Sequence, residues 1–250
     1  MTPRVALISG AARGIGAATA VRLAAEGLDI AVLDLDADRG SETVAAVRAL
    51  GRRAVAVGAD VTDEGSVQAA VERVAVELGD PVVLINNAGM LHTSALHKME
   101  LSDWRRVLEV NLTGAFLLSR ATQSYMVQAG WGRIVNLSSI AAVGDKNRVH
   151  YSSAKAALQG MTKTLAIELG RFGVTVNCVA PGFTVTEMTK AVADDVGVDF
   201  TAMQADQATA IPVGRSGHPD DIANAIAFFV DDRSGFVSGQ VLYVAGGPVS

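Results

Sequence analysis

Short apolar runs rich in β-branched residues alternate along this chain with longer segments patterned like helices. That alternation constrains the fold more than any single residue does. The runs are RVALIS (4–9), DIAVLD (29–34), RAVAVG (53–58), VVLIN (82–86), GRIVNLS (132–138), VTVNCVA (174–180) and QVLYV (240–244). Most are apolar throughout, as strands buried on both faces must be. Between them, residues 15–27, 41–51, 64–79, 102–127 and 151–171 read as amphipathic helices. Gly27, Gly51 and Gly79 follow helical runs, where a C-terminal glycine is favoured. Ser102 stands where an N-cap is expected. Strand–helix–strand repetition predicts an α/β protein built on a doubly wound parallel sheet of about seven strands, with helices on both faces. No linker or repeat interrupts the 250 residues, so one domain, 1–250, is expected. The stretch 184–212 breaks the rhythm and is expected to be a substrate-binding lid or loop.

Composition removes several classes of function. A hydrophobic share of 50% and a charged share of 19% suit a globular chain and not a disordered one. The net charge is −5 and no basic cluster occurs, which argues against a nucleic-acid partner, since phosphate contacts need gathered Lys and Arg. The start, MTPRVALIS, does not read as a signal peptide. The late apolar run IANAIAFFV (222–230) is too short to span a bilayer, so no membrane association is expected. Cys178 is the only cysteine, which excludes an internal disulfide, and its apolar setting reads as a reduced core thiol. His92, His97, His150 and His218 show no metal-ligand spacing, so no metal is expected. These features point to a cytoplasmic protein.

The first strand runs into SGAARGIG (9–16). Gly10, Gly14 and Gly16 at a strand-to-helix turn allow tight turning and close backbone approach to a phosphate, with helix N–H groups aimed at it. The second strand ends in Asp34, about 20 residues on, where a carboxylate can bind the adenosine ribose hydroxyls of a dinucleotide. A carboxylate there repels a 2′-phosphate, so NAD(H) is favoured; Arg13 beside the turn keeps NADP(H) open. Asp36 and Asp38 read as a solvated helix start. Further on, YSSAK (151–155) places Tyr151 and Lys155 one helical turn apart on a shared face. A phenol is a poor acid near neutrality. A cation held against Tyr151 would lower its pKa, making the pair a candidate proton-transfer device.

With these motifs in order, the chain resembles the short-chain dehydrogenase/reductase family over nearly its whole length. SGAARGIG is similar to the family's T-G-x-x-x-G-x-G, with Ser9 in place of Thr; ADVTD (59–63), NNAG (86–89), NLTGAF (111–116), NLSS (136–139), YSSAK, PGFTVT (181–186) and a late GG (246–247) follow. The resemblance implies a Rossmann-type fold and hydride transfer between a nicotinamide and a carbonyl or secondary alcohol. It implies a cofactor site formed by Gly10, Arg13, Gly14, Ile15, Gly16, Asp34, Leu35, Asp60, Val61, Asn87, Ala88, Gly89, Pro181, Gly182, Thr184 and Thr186, with Tyr151 and Lys155 reaching the nicotinamide side. Asp60 and Val61 would contact the adenine, and Thr186 the carboxamide.

The resemblance also implies roles. Tyr151 would exchange a proton with the substrate oxygen, Lys155 would bind the nicotinamide ribose, and Asn111 would hold a water next to Lys155. A serine would hold the substrate oxygen. Two family criteria disagree on which one: Ser138 lies 13 residues before Tyr151, whereas Ser139 is the second of the serine pair. Spacing favours Ser138; a one-residue deletion in 145–150 would favour Ser139. The stretches 97–114, 181–189 and 211–223 are most similar to 3-oxoacyl thioester reductases, while an alcohol, sugar or steroid substrate, or a non-catalytic dinucleotide-binding role, stays open. Members that dock an acidic carrier protein tend to carry a basic patch near the end of the long helix, where this chain has only Arg133. The family usually forms tetramers, and a homotetramer is expected here through the two long helices and the region of 226–230 and 240–244.

Overall fold

The protein, described here at residues 3–249 by a computed structural model, is built on one seven-stranded parallel sheet. The strands are β1 (Val5–Ser9), β2 (Asp29–Asp34), β3 (Ala54–Gly58), β4 (Pro81–Asn86), β5 (Gly132–Leu137), β6 (Val174–Pro181) and β7 (Val241–Val244). Their order is β3-β2-β1-β4-β5-β6-β7. The order reverses between β1 and β4, and in such sheets a crevice opens there beyond the carboxyl ends of the strands.

Successive residues of each strand face opposite sides, so one sheet makes two cores. Val5 and Leu7 of β1 pack with Val67, Val71 and Val74 of α3 (Glu64–Glu77) and with Leu117, Leu118 and Met126 of α5 (Gly114–Ala129). Ala6 and Ile8 face Ala20 and Leu23 of α1 (Gly14–Ala25), Val44 and Val47 of α2 (Ser41–Ala49), and Ile222, Ile226 and Phe229 of α9 (Pro219–Val230). Gly27, Gly51 and Gly79 adopt φ values of +96°, +74° and +112° just past their helices, the backbone that glycine tolerates best. Cys178 is free and buried; burial pushes its thiol up to about 11, leaving it protonated and inert. Among the described residues no helix is long and apolar enough to cross a membrane.

Three segments differ from the sequence reading. The long helix expected over 102–127 is α4 (Leu101–Leu108), a π-helical turn (Glu109–Thr113) and α5. Ser102 is inside the first turn of α4 and not its cap; Glu100 precedes the helix and makes no side-chain cap. The stretch 184–212 is largely helical: α7 (Glu187–Val196) and α8 (Phe200–Ala210) are started by the side chains of Thr186 and Asp199, with Gly197 at φ +71° between them. The run at 222–230 lies in α9, opened by Pro219 at its first turn, where a missing N–H costs nothing.

Candidate active site

Most motifs singled out in the sequence lie at or just beyond the carboxyl end of a strand; NLTGAF (111–116) and YSSAK (151–155) lie on helices. At the end of β1 the chain turns tightly, with Gly10 at φ +62° and Gly14 at φ +58°. A Cβ on Gly16 would meet the Gly10 carbonyl oxygen at 2.3 Å, so α1 can pack this close only because residue 16 has no side chain. Ser9 ties the turn to β4: its Oγ accepts from the N–H groups of Asn87 (3.1 Å) and Ala88 (3.0 Å). The Asn87 amide donates back to the carbonyls of Ser9 and Gly10, both at 2.9 Å. Arg13 precedes α1 and makes no side-chain cap, which leaves the first helical N–H groups free to meet an anion.

A cleft of about 600 Å³ opens over this turn. Gly10, Arg13, Gly14, Ile15, Asp34, Leu35, Asp60, Val61, Asn87, Ala88, Gly89 and Thr186 line it. Gly16, Pro181, Gly182 and Thr184 are not among the residues that line this cleft. Gly16 packs on Gly10, Gly182 lies against Ala245, and the Thr184 hydroxyl is spent on the Gly182 carbonyl at 3.1 Å. The Asp34 carboxylate accepts from the N–H of Ala12 (3.2 Å) and of Leu35 (3.0 Å). Its counter-charge is Arg39, at 3.3 Å, a wall residue the sequence reading missed. Asp36 instead caps the short turn that follows by accepting from Asp38 N–H, and neither acid reaches the cleft. Arg106, Glu109 and Met188 also line the cleft and were not foreseen.

At the far end, beyond Gly89, four side chains converge. Lys155 is 4% exposed, and its ammonium donates to the Leu137 carbonyl at 2.7 Å. Burial brings it down to about 8. The π-helical turn carries Asn111 inward, where its amide donates to the carbonyls of Met90 and Val107, both at 2.9 Å. The Asn111 Oδ1 is buried and without a partner. A Cβ on Gly89 would meet that oxygen at 2.8 Å and the Lys155 Nζ at 3.6 Å, so glycine is what keeps this corner open.

Tyr151 and Lys155 share a face of α6 (Val149–Leu169), the ammonium 5.5 Å from the centre of the phenol ring. Against the lowering expected from Lys155, the net direction of the phenol pKa is upward. Burial raises Tyr151 above its usual value, opposed first by the Ser139 hydroxyl beside it and then by Arg148. The ammonium turns to the Leu137 carbonyl instead. The two serines part company at the end of β5. Ser138 is 4% exposed and its Oγ donates to the Lys155 carbonyl at 2.8 Å, away from the cleft. Ser139 is partly exposed, and its Oγ takes the Ala141 N–H at 3.1 Å on the side of Tyr151. Residue spacing favoured Ser138; the geometry puts Ser139 next to the phenol.

The residues present fit a dinucleotide. The glycine turn has no Cβ to block a pyrophosphate, the start of α1 offers unpaired N–H groups, and Asp34 offers a ribose partner. Comparison with known proteins agrees. A family model described as enoyl-(acyl carrier protein) reductase matches residues 10–248. The BbsD subunit of a hydroxy(phenyl)methylsuccinyl-CoA dehydrogenase of Thauera aromatica is 44% identical over 98% of this chain and 96% of its own. The 3-oxoacyl-acyl-carrier-protein reductase FabG of Escherichia coli strain K12 is 36% identical over 98% and 96%. The crystal structure of an NAD+-bound xylitol dehydrogenase superposes with a TM-score of 0.92 at 33% identity, covering 98% of each chain. The chain belongs to the short-chain dehydrogenase/reductase family. It is an oxidoreductase acting on an alcohol or carbonyl carbon with a nicotinamide cofactor.

Proposed function

We propose that the protein is an NAD(H)-preferring dehydrogenase that interconverts a 3-hydroxyacyl and a 3-oxoacyl thioester of a small carrier, in the cytoplasm. The observation that carries the chemical part is the convergence of Tyr151, Ser139, Lys155 and Asn111 beyond Gly89, at one end of the dinucleotide cleft. The bound nicotinamide supplies or accepts the hydride. Tyr151 gives its proton to the substrate oxygen in reduction and takes it in oxidation. Ser139 donates to the same oxygen as charge develops. Lys155 supplies positive charge beneath the phenol, and Asn111 Oδ1 accepts from a water that passes protons between Lys155 and solvent. The phenol raised by burial is a protonated donor at neutral pH, which suits the reducing direction.

Asp34 supports the NAD(H) preference, because a 2′-phosphate would meet its carboxylate; Arg39 offsets part of that charge and leaves NADP(H) as the weaker cofactor. The two thioester-acting relatives support the substrate class. Arg133 is 3% exposed and stacked 4.3 Å from the Trp131 ring, so it offers no charge to an acidic carrier protein, which favours a small carrier. Helices α7 and α8 would serve as the lid over the acyl group. Exposed Phe116 on α5, Ile167 on α6, Phe228 on α9 and Leu242 on β7 support a homotetramer, which light scattering at micromolar concentration tests. Substrate and cofactor are tested by nicotinamide absorbance, with NADH and NADPH against CoA thioesters, carrier-protein thioesters, cyclic ketones and sugars. Fastest turnover of a CoA thioester with NADH is expected; turnover confined to a polyol, or to NADPH, overturns the substrate or the cofactor assignment.

A further inference from the structure

We infer that His150 is a positioning residue for Tyr151: its imidazole accepts the Tyr151 backbone N–H and so fixes the turn from which the phenol is presented. The inference rests on the proposed role of Tyr151 as proton donor. Helix α6 begins at Val149, and Arg148 before it makes no side-chain cap. The N–H groups of residues 149–151 therefore have no partner within the helix. His150 Nδ1 takes the third of them, at 2.8 Å, doing from inside the helix what a cap does from outside. The ring has no freedom to drift. It is fully buried and lies edge-on to His92, centroids 6.0 Å apart at 63°.

An accepting Nδ1 requires the proton to sit on Nε2, which is buried without a partner. Adding a second proton converts Nδ1 into a donor. The Tyr151 N–H then loses its acceptor, and the charged ring favours the Arg148 carbonyl already beside it, which also takes the Ser152 N–H at 2.8 Å as the first bond of the helix. The groups facing the ring are the Arg148 carbonyl from the helix start, His92 from the loop after β4 and Asp103 from α4. Burial holds the His150 pKa below the ordinary histidine range; the Arg148 carbonyl and Asp103 pull it up and His92 pulls it down. At neutral pH the ring is neutral and the phenol is held. In acid the grip is released.

In the reducing direction Tyr151 is needed protonated, so its own titration removes activity only on the alkaline side. An acid limb in kcat belongs to His150. His150→Leu, which cannot accept, is expected to lower kcat about tenfold or more while the KM for NADH stays within about twofold. His150→Asn, whose Oδ1 stands where Nδ1 was and does not titrate, is expected to recover most of kcat and to lose the acid limb. A Leu variant with wild-type kcat, or an Asn variant that keeps the wild-type acid limb, overturns the proposal. A second arm needs no substrate: nitrogen-15 shifts of the full chain at pH 7.5 are expected to show His150 bare at Nδ1 and protonated at Nε2. The opposite tautomer overturns the proposal even if the redox assignment stands. Failure of the redox assignment alone would leave wild type without turnover, and this spectrum would still decide.

Discussion

Ser138 Oγ and the main-chain carbonyl of Lys155 are joined by a 2.8 Å hydrogen bond inside the core, which commits the Ser138 hydroxyl to holding α6 against the end of β5. The neighbouring hydroxyl, Ser139, is left facing Tyr151. Ser139→Ala is expected to lower kcat by about 10²–10³, the cost of removing one donor to a developing oxyanion. Ser138→Ala is expected to cost about 0.5–1.5 kcal/mol of stability, the net worth of one hydrogen bond, since the Lys155 carbonyl keeps its bond within α6, and to keep most of its turnover. Steady-state kinetics and thermal denaturation of the two variants side by side separate these effects.

Gly89 is the spacer between the cleft and the Lys155–Asn111 corner. Gly89→Ala would bring a methyl within 2.8 Å of Asn111 Oδ1. Backbone and buried amide leave little room to give, so the variant is expected to fold and to lose about tenfold or more in kcat through displacement of the corner. Wild-type kinetics in that variant would show that the corner is roomier than its geometry states.

The lysine carries a pH signature of its own. Its folded pKa, about 8, lies below the ordinary lysine value of 10.5, so the unfolded chain binds more protons between those values. Stability of the cofactor-free protein therefore rises with pH across that window. Below about pH 8 the buried ammonium costs roughly 3 kcal/mol, less whatever the Leu137 contact returns. Lys155→Met is expected to be the more stable protein at pH 7, with an advantage that shrinks as pH rises from about 8 to about 10.5. Chemical denaturation at pH 7 and pH 10 reads the difference directly.

Cofactor choice should respond in opposite directions to two substitutions. Asp34→Asn removes the charge that faces a 2′-phosphate and is expected to raise kcat/KM for NADPH relative to NADH about tenfold or more. Arg39→Ala removes the counter-charge 3.3 Å away and is expected to sharpen the preference for NADH. Movement of both variants in the same direction would disprove this arrangement.

The strands were legible because burial on both faces leaves a run such as VVLI (82–85) with no polar residue, and the glycine turn because only glycine tolerates its φ values and close approach. The serine was not legible from counting. Side chains alternate at a strand end, so Ser138 follows the pleat inward and Ser139 turns the other way, and the count back from Tyr151 depends on the irregular loop between. Helix α8 has no buried residue, so it left no apolar period to read. Arg39 escaped notice because its reach to Asp34 comes from a one-turn helix after β2, not from a motif. The inward turn of Asn111 depends on a π-helical insertion that the regular pattern of 102–127 does not announce.

The measurement that tests the account most directly is the turnover of Tyr151→Phe with its best substrate, alongside its affinity for NADH by fluorescence. The account predicts a fall in kcat of about 10³ or more with NADH affinity unchanged, because the phenol O–H is the proton source and the ring alone keeps the packing. Undiminished turnover in that variant would contradict it.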